Sequence, residues 1–216
     1  MTGDQRKTAH ALLKTHGRTY AAEAGIKLRD TPQPLYQLLV LSCLLSARIR
    51  ASVAVAAARE LFEAGMRDAR SMRDATWQQR VDALGRGSYR RYDERTATQL
   101  GDGAQLLLDD YQGDLRKLRD EAGGDVGRLR ELLQKVPGLG PAGADIFLRE
   151  AQAVWPDLVP YIDAKAVQGA ERLGLPKDSG ALARLVPGKD TAAFAAALVR
   201  AALEKSVVED VTEETS

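Results

Sequence analysis

The chain is poor in the residues that build metal and redox sites. It has one cysteine, Cys43, in 216 residues, which excludes an intrachain disulfide framework and a four-cysteine metal or iron–sulfur site by count. Cys43 lies in LLVLSCLLSA, where a buried, inert thiol is the natural reading. There are two histidines, His10 and His16, both near the N-terminus, too few for a zinc site. The expected metal content is none. Long apolar runs are missing too. The longest, Leu35 to Ala47, is broken by Gln37, Ser42 and Ser46, and a bilayer span needs roughly 20 apolar residues. The opening MTGDQRKTAHALLKTHGR has no signal-peptide core. These absences predict a cytoplasmic protein without a membrane partner.

An excess of one charge is also lacking. The formal net charge is +1, so whole-chain charge does not announce a nucleic-acid partner, although a local basic surface is compatible with it. Hydrophobic residues make up 44% and charged residues 28%, a globular balance that can fill one ordinary domain or two small lobes. No segment keeps the period-2 alternation of a strand, and alanine is abundant, so the expected fold is all-α. Helices are expected over 4–24, 35–47, 52–63, 71–84, 95–111, 125–135, 144–155, 163–173 and 191–205. Trp77 and Trp155 are expected in the core. The tail VVEDVTEETS, 207–216, is acidic and polar and is expected to be disordered.

Between two of these helices stands VPGLGPAGA, Val136 to Ala144, with three glycines and two prolines. Glycines let the backbone turn tightly and leave amides uncovered. Those amides, near Gly138, Gly140, Ala142 and Gly143, meet the N-terminus of the following helix, where free N–H groups attract phosphate oxygens. No long side chain protrudes, so a nucleic-acid backbone can come close, a contact that positions a duplex without reading its sequence. Asp163 follows, at the start of the helix AKAVQGAERL. A carboxylate there can stabilise positive charge on a sugar and orient a water, or simply cap its helix.

The segment KVPGLGPAGADIFL resembles the hairpin of the helix-hairpin-helix DNA glycosylases, the endonuclease III-like superfamily. FLREAQAVWPDLVPYIDAKAV is similar to the stretch that carries that family's aspartate, and PLYQLLVLSCLLSAR to its buried helix ending in L-L-S-A-Q. The likeness spans roughly 30–175. It implies two helical lobes with a cleft between them. The glycosylase core would be 30–175, with the hairpin at 129–155, and both termini, 1–29 and 176–206, would form the second lobe. It implies a partner, double-stranded DNA, from which a damaged or mispaired base is flipped out and released. A monomer is expected, associated with the nucleoid if the source is bacterial. Asp163 becomes the candidate catalytic carboxylate. Gly138, Gly140, Ala142, Gly143 and Lys165 become candidate backbone contacts. Arg48, Arg90, Arg91 and Tyr161 become candidates for filling the gap of the flipped base or for other DNA contact, with Tyr89 and Tyr92 able to stack or wedge.

Two departures narrow the reading. Members that cut the strand carry a lysine where this chain has Ala142, and a methyl group cannot attack C1′. The resemblance therefore implies hydrolysis by water, with no lyase step. Endonuclease III itself ends with four cluster-binding cysteines; this chain has none after Cys43. No cofactor is expected, while a monovalent cation at the hairpin is compatible with its carbonyls. The competing reading is a catalytically silent DNA-binding protein on the same fold, with Asp163 as a cap.

Overall fold

The computed structural model describes residues 2–215. Among them every regular element is helical, as the missing alternation predicts. The chain divides into two compact units, one running from Ala21 to Phe147, the other combining the residues up to Tyr20 with those from Leu148 onward. This differs from the expected boundaries. Residues 148–175 group with the terminal unit, and 21–29 with the other.

In the 21–147 unit the central element is α3, Pro32–Leu45. Proline at its start is compatible with the first helical turn. Leu35, Tyr36, Leu38, Leu39, Val40, Leu41 and Leu44 are all buried, so the helix is covered nearly all round. It packs against α4, Ala51–Glu63, which buries Ala54, Val55, Ala57, Ala58, Leu61 and Phe62 on one face. The expected 71–84 helix is two helices, α5 (Ala69–Asp74) and α6 (Trp77–Arg86). Thr76 and Gln79 form a reciprocal capping box that starts α6 afresh. Arg80, buried, donates to the carbonyls of Met72 and Ala75 at the end of α5. The burial face of α6 is Arg80, Ala83 and Leu84. Trp77, the first residue of α6, is 41% exposed, a correction to the expected core position. Its indole N–H is shared between Glu94 O and Thr98 Oγ1. Next come α7 (Asp93–Tyr111), α8 (Leu115–Glu121) and α9 (Val126–Leu133). The helix α10, Pro141–Ala151, follows.

In the terminal unit α1, Gly3–His16, ends at Gly17. A β-carbon at Gly17 would stand 2.2 Å from Leu13 O, and the expected 4–24 helix breaks there. Tyr20–Glu23 is a separate turn, α2, and its residues from Ala21 on belong to the 21–147 unit. The core is α13, Thr191–Leu203, in which ten of thirteen residues are buried. Before it stand α11 (Ala164–Arg172) and the short α12 (Ser179–Ala183). Pairing of α11 with α13 draws residues 164–172 into this unit. The expected disordered tail is instead a helix, α14, Lys205–Thr215, packed on α1. Val207 and Val211, one helical turn apart, are buried. Lys14 and Glu214 pair at 2.8 Å, and Lys7 Nζ donates to Thr215 O at 2.6 Å.

Candidate nucleic-acid interface and the Asp163 site

The hairpin is built on two buried anchors, Val136 and Leu139. Between them Gly138 takes φ of +85°, a conformation that strains other residues. Gly140 and Ala142 are exposed, and nothing lies within 4 Å of where a β-carbon on Gly140 would be. Gly143 differs. It is buried, and a β-carbon there would meet Leu139 Cδ1 at 2.7 Å and Ser46 Cβ at 3.4 Å. Its smallness makes room for the side chain of Leu139, the hairpin's own buried anchor. Proline at the first position of α10 has no N–H to leave orphaned. Arg130 on α9 grips Asp145 on α10 with two parallel bonds, Nε to Oδ1 at 2.7 Å and Nη2 to Oδ2 at 3.1 Å. That fork fixes the angle between the helices flanking the turn.

Beside the hairpin, within the 21–147 unit, lies a cleft of about 550 Å³. Its walls are the hairpin from Lys135 to Gly140, the end of α3 through Ser46, Ala47 and Arg48, and the start of α7 with Tyr92, Arg95 and Gln99. Three cations, Arg48, Arg95 and Lys135, line it, and no carboxylate does. All three are exposed, and among the described residues none of them has an ion-pair partner. The structure thus brings Arg48, Gly138 and Gly140 together. Arg90 and Arg91 are exposed outside the cleft lining, and Arg91 stacks over Tyr92 at 5.2 Å. Tyr89 does not project as a wedge. It is 1% exposed, with its hydroxyl 3.2 Å from Thr96 Oγ1. Cys43 touches the cleft wall with part of its surface, yet burial pushes its thiol up to about 12.

Asp163 belongs to the other unit and is the N-cap of α11. Its Oδ1 accepts from Ala166 N at 2.9 Å. Its Oδ2 is held by Arg149 Nη1 at 2.5 Å. The two side chains are 7% and 3% exposed, so the pair is buried. Arg149 Nε, also buried, has no hydrogen-bond partner. Gln152 braces the approach to Asp163. Its amide donates to Arg149 O and Tyr161 O, both at 2.8 Å, and its oxygen accepts from Tyr161 N at 2.8 Å. Tyr161 is half-buried. Lys165 points to solvent and donates to Gln168 Oε1 at 3.1 Å.

Sequence reasoning missed Arg149 and Gln152 as parts of these sites, and took Arg95 only as the end of the basic stretch GRGSYRRYDER, Gly85 to Arg95. A signal existed for the first two. In IFLREAQAV, Arg149, Glu150 and Gln152 sit among residues whose spacing predicts burial, and buried polar groups need partners. Glu150, 1% exposed, accepts from Tyr20 N at 3.0 Å.

Among the described residues no three metal-binding side chains gather, and no helix is long and apolar enough to cross a membrane. No family model matches the chain, and no curated protein does. Solved structures match its fold, among them these two. One is a trapped endonuclease III–DNA covalent intermediate in an estranged-adenine complex. It has 17% identity and a TM-score of 0.56, with 93% of this chain and 86% of that one covered. The other is a thermostable thymine-DNA glycosylase, at 16% identity and a TM-score of 0.55, with 90% and 88% covered. This chain has the all-α fold of these glycosylases, the fold that its hairpin and its LLSA helix resemble. At 16–17% identity the shared property is the fold.

Proposed function

We propose that this chain acts on double-stranded DNA as a monofunctional base-excision glycosylase. The observation that carries the reading is the cleft of the 21–147 unit, with three unpaired cations, no acid and an open hairpin backbone beside it. Such a surface suits a phosphate backbone and contributes binding without reading sequence. The names of the two fold neighbours, an endonuclease III bound to DNA and a thymine-DNA glycosylase, point the same way. In the proposed reaction Asp163 stabilises positive charge on the sugar and orients a water. The water oxygen bonds C1′, the N-glycosidic bond breaks, and the base leaves with a proton. Ala142 offers no amine, so the product is an abasic site on an uncut strand. The protein acts as a monomer and without a cofactor.

One observation favours a second reading. Both oxygens of Asp163 are engaged and its side chain is nearly closed to solvent. That arrangement suits a catalytically silent DNA-binding protein in which Asp163 is a cap and an ion-pair partner.

Two measurements separate these readings. Binding to a duplex with an abasic-site analogue is followed against salt. Three cleft cations predict a slope of log K against log salt of roughly −3, which Arg48→Ala lowers in magnitude by about 1. Salt-independent binding overturns both readings. Release of base from a panel of damaged and mispaired duplexes, abolished in Asp163→Asn, selects the enzyme. Binding with no release from any duplex selects the silent protein.

A further inference from the structure

We propose that Arg149 is the positioning residue that governs how much charge Asp163 presents, and that in the free protein it holds the carboxylate quenched. This rests on the reading of Asp163 as the group that assists base release. A carboxylate stabilises a cationic sugar through its negative charge. A guanidinium 2.5 Å from Oδ2, itself 3% exposed, cancels most of that field, because little solvent screens the pair. The other oxygen is committed to Ala166 N. Asp163 in this arrangement is therefore a weak stabiliser of positive charge.

The pair is also incompletely built. A structural ion pair in a protein interior offsets its desolvation through several well-placed hydrogen bonds. Arginine and carboxylate commonly achieve this with two parallel bonds, as Arg130 and Asp145 do in this chain. Arg149 gives Asp163 one bond, from Nη1, and its Nε is buried without a partner. A guanidinium left short of acceptors loses less when it turns away than one held by a full fork. Base release on this proposal requires the single Nη1–Oδ2 contact to part. Because Gln152 braces the backbone at Tyr161 independently of Arg149's guanidinium, parting it leaves the approach to Asp163 in place.

The test is single-turnover base release and, separately, affinity for an abasic-analogue duplex, in wild type, Arg149→Met and Arg149→Gln. Glutamine removes the charge while keeping an N–H donor for Oδ2, so it serves if the methionine variant fails to fold. The expected result is release at least tenfold faster in the neutral variants, with affinity within about twofold of wild type. Release from a variant where wild type shows none supports the proposal further. Equal or slower release with unchanged affinity overturns the proposal and leaves the glycosylase reading standing. No release from wild type or either folded variant overturns both.

Discussion

Arg149 and Asp163 stand fourteen residues apart in sequence and meet through one bond of 2.5 Å, with neither side chain more than 7% exposed. Removing one partner from such a pair leaves the other charge buried and costs about 3–5 kcal/mol. Asparagine caps a helix as well as aspartate does, so Asp163→Asn keeps the cap and isolates the ion pair. For a protein of this length the expected fall in Tm is roughly 6–20 °C. The double variant Asp163→Asn with Arg149→Met removes both charges and is expected to recover part of that loss. Thermal denaturation of the three proteins checks it. A single variant within about 1 kcal/mol of wild type means that the pair is not buried as described.

Gly169 governs how α11 approaches α13. A β-carbon there would fall 1.8 Å from Leu198 O and 2.7 Å from Leu198 C. The obstacle is backbone, which cannot rotate aside. Gly169→Ala is expected to destabilise by about 3 kcal/mol, and to shift α11, on which Asp163 sits. Gly85 is the control, because nothing lies within 4 Å of its β-position inside α6. Gly85→Ala is expected to be neutral or to stabilise by about 0.5 kcal/mol. Opposite signs for the two glycines in chemical denaturation support the close approach, and equal effects refute it.

The helical class was legible from absences, and the hairpin from its glycines and prolines. The roles within it were less so. Gly138 and Gly143 look alike in VPGLGPAGA, yet one is needed for its positive φ and the other for contact with Leu139 and Ser46. The sequence does not distinguish them, because the turn that brings the Leu139 side chain against Gly143 is a property of the folded hairpin. The tail was misread for a related reason. Its acidic composition argues for disorder, but two valines one turn apart suffice once α1 offers a surface to cover them. Asp163 was legible as a cap or a catalyst. Its partner was not, since an arginine in an apolar helix reads equally as one whose stem is buried and whose head reaches water.

Cys43 provides a test at alkaline pH. The thiol is raised from 9.0 to about 12, mainly by burial. The folded state therefore keeps its proton above pH 9 while the unfolded state loses it. The stability from this group is complete below pH 9 and is lost progressively as pH rises toward 12. Between pH 8 and 10.5 wild type is expected to lose stability more steeply than Cys43→Ala. At pH 8 the thiolate fraction is on the order of 10⁻⁴, so alkylation of the folded protein is expected to lag far behind that of the protein in denaturant. Identical pH slopes and fast alkylation together exclude the buried thiol.

Ala142 allows the proposed chemistry to be changed by one residue. It is exposed and is the second residue of α10, so a lysine fits without displacing packed atoms. The helix N-terminus disfavours added positive charge there, which raises the share of free amine. A free amine that reaches C1′ of an abasic sugar forms an imine, which borohydride reduces to a stable secondary amine. Ala142→Lys is expected to yield a covalent adduct with an abasic duplex, visible in a denaturing gel and increasing from pH 7 to 9 as the amine deprotonates. Wild type is expected to yield none under the same conditions. An Ala142→Lys protein that binds the duplex with normal affinity and still yields no adduct excludes a hairpin placed beside the sugar. In that event the missing lysine would say nothing about whether this chain cuts a strand.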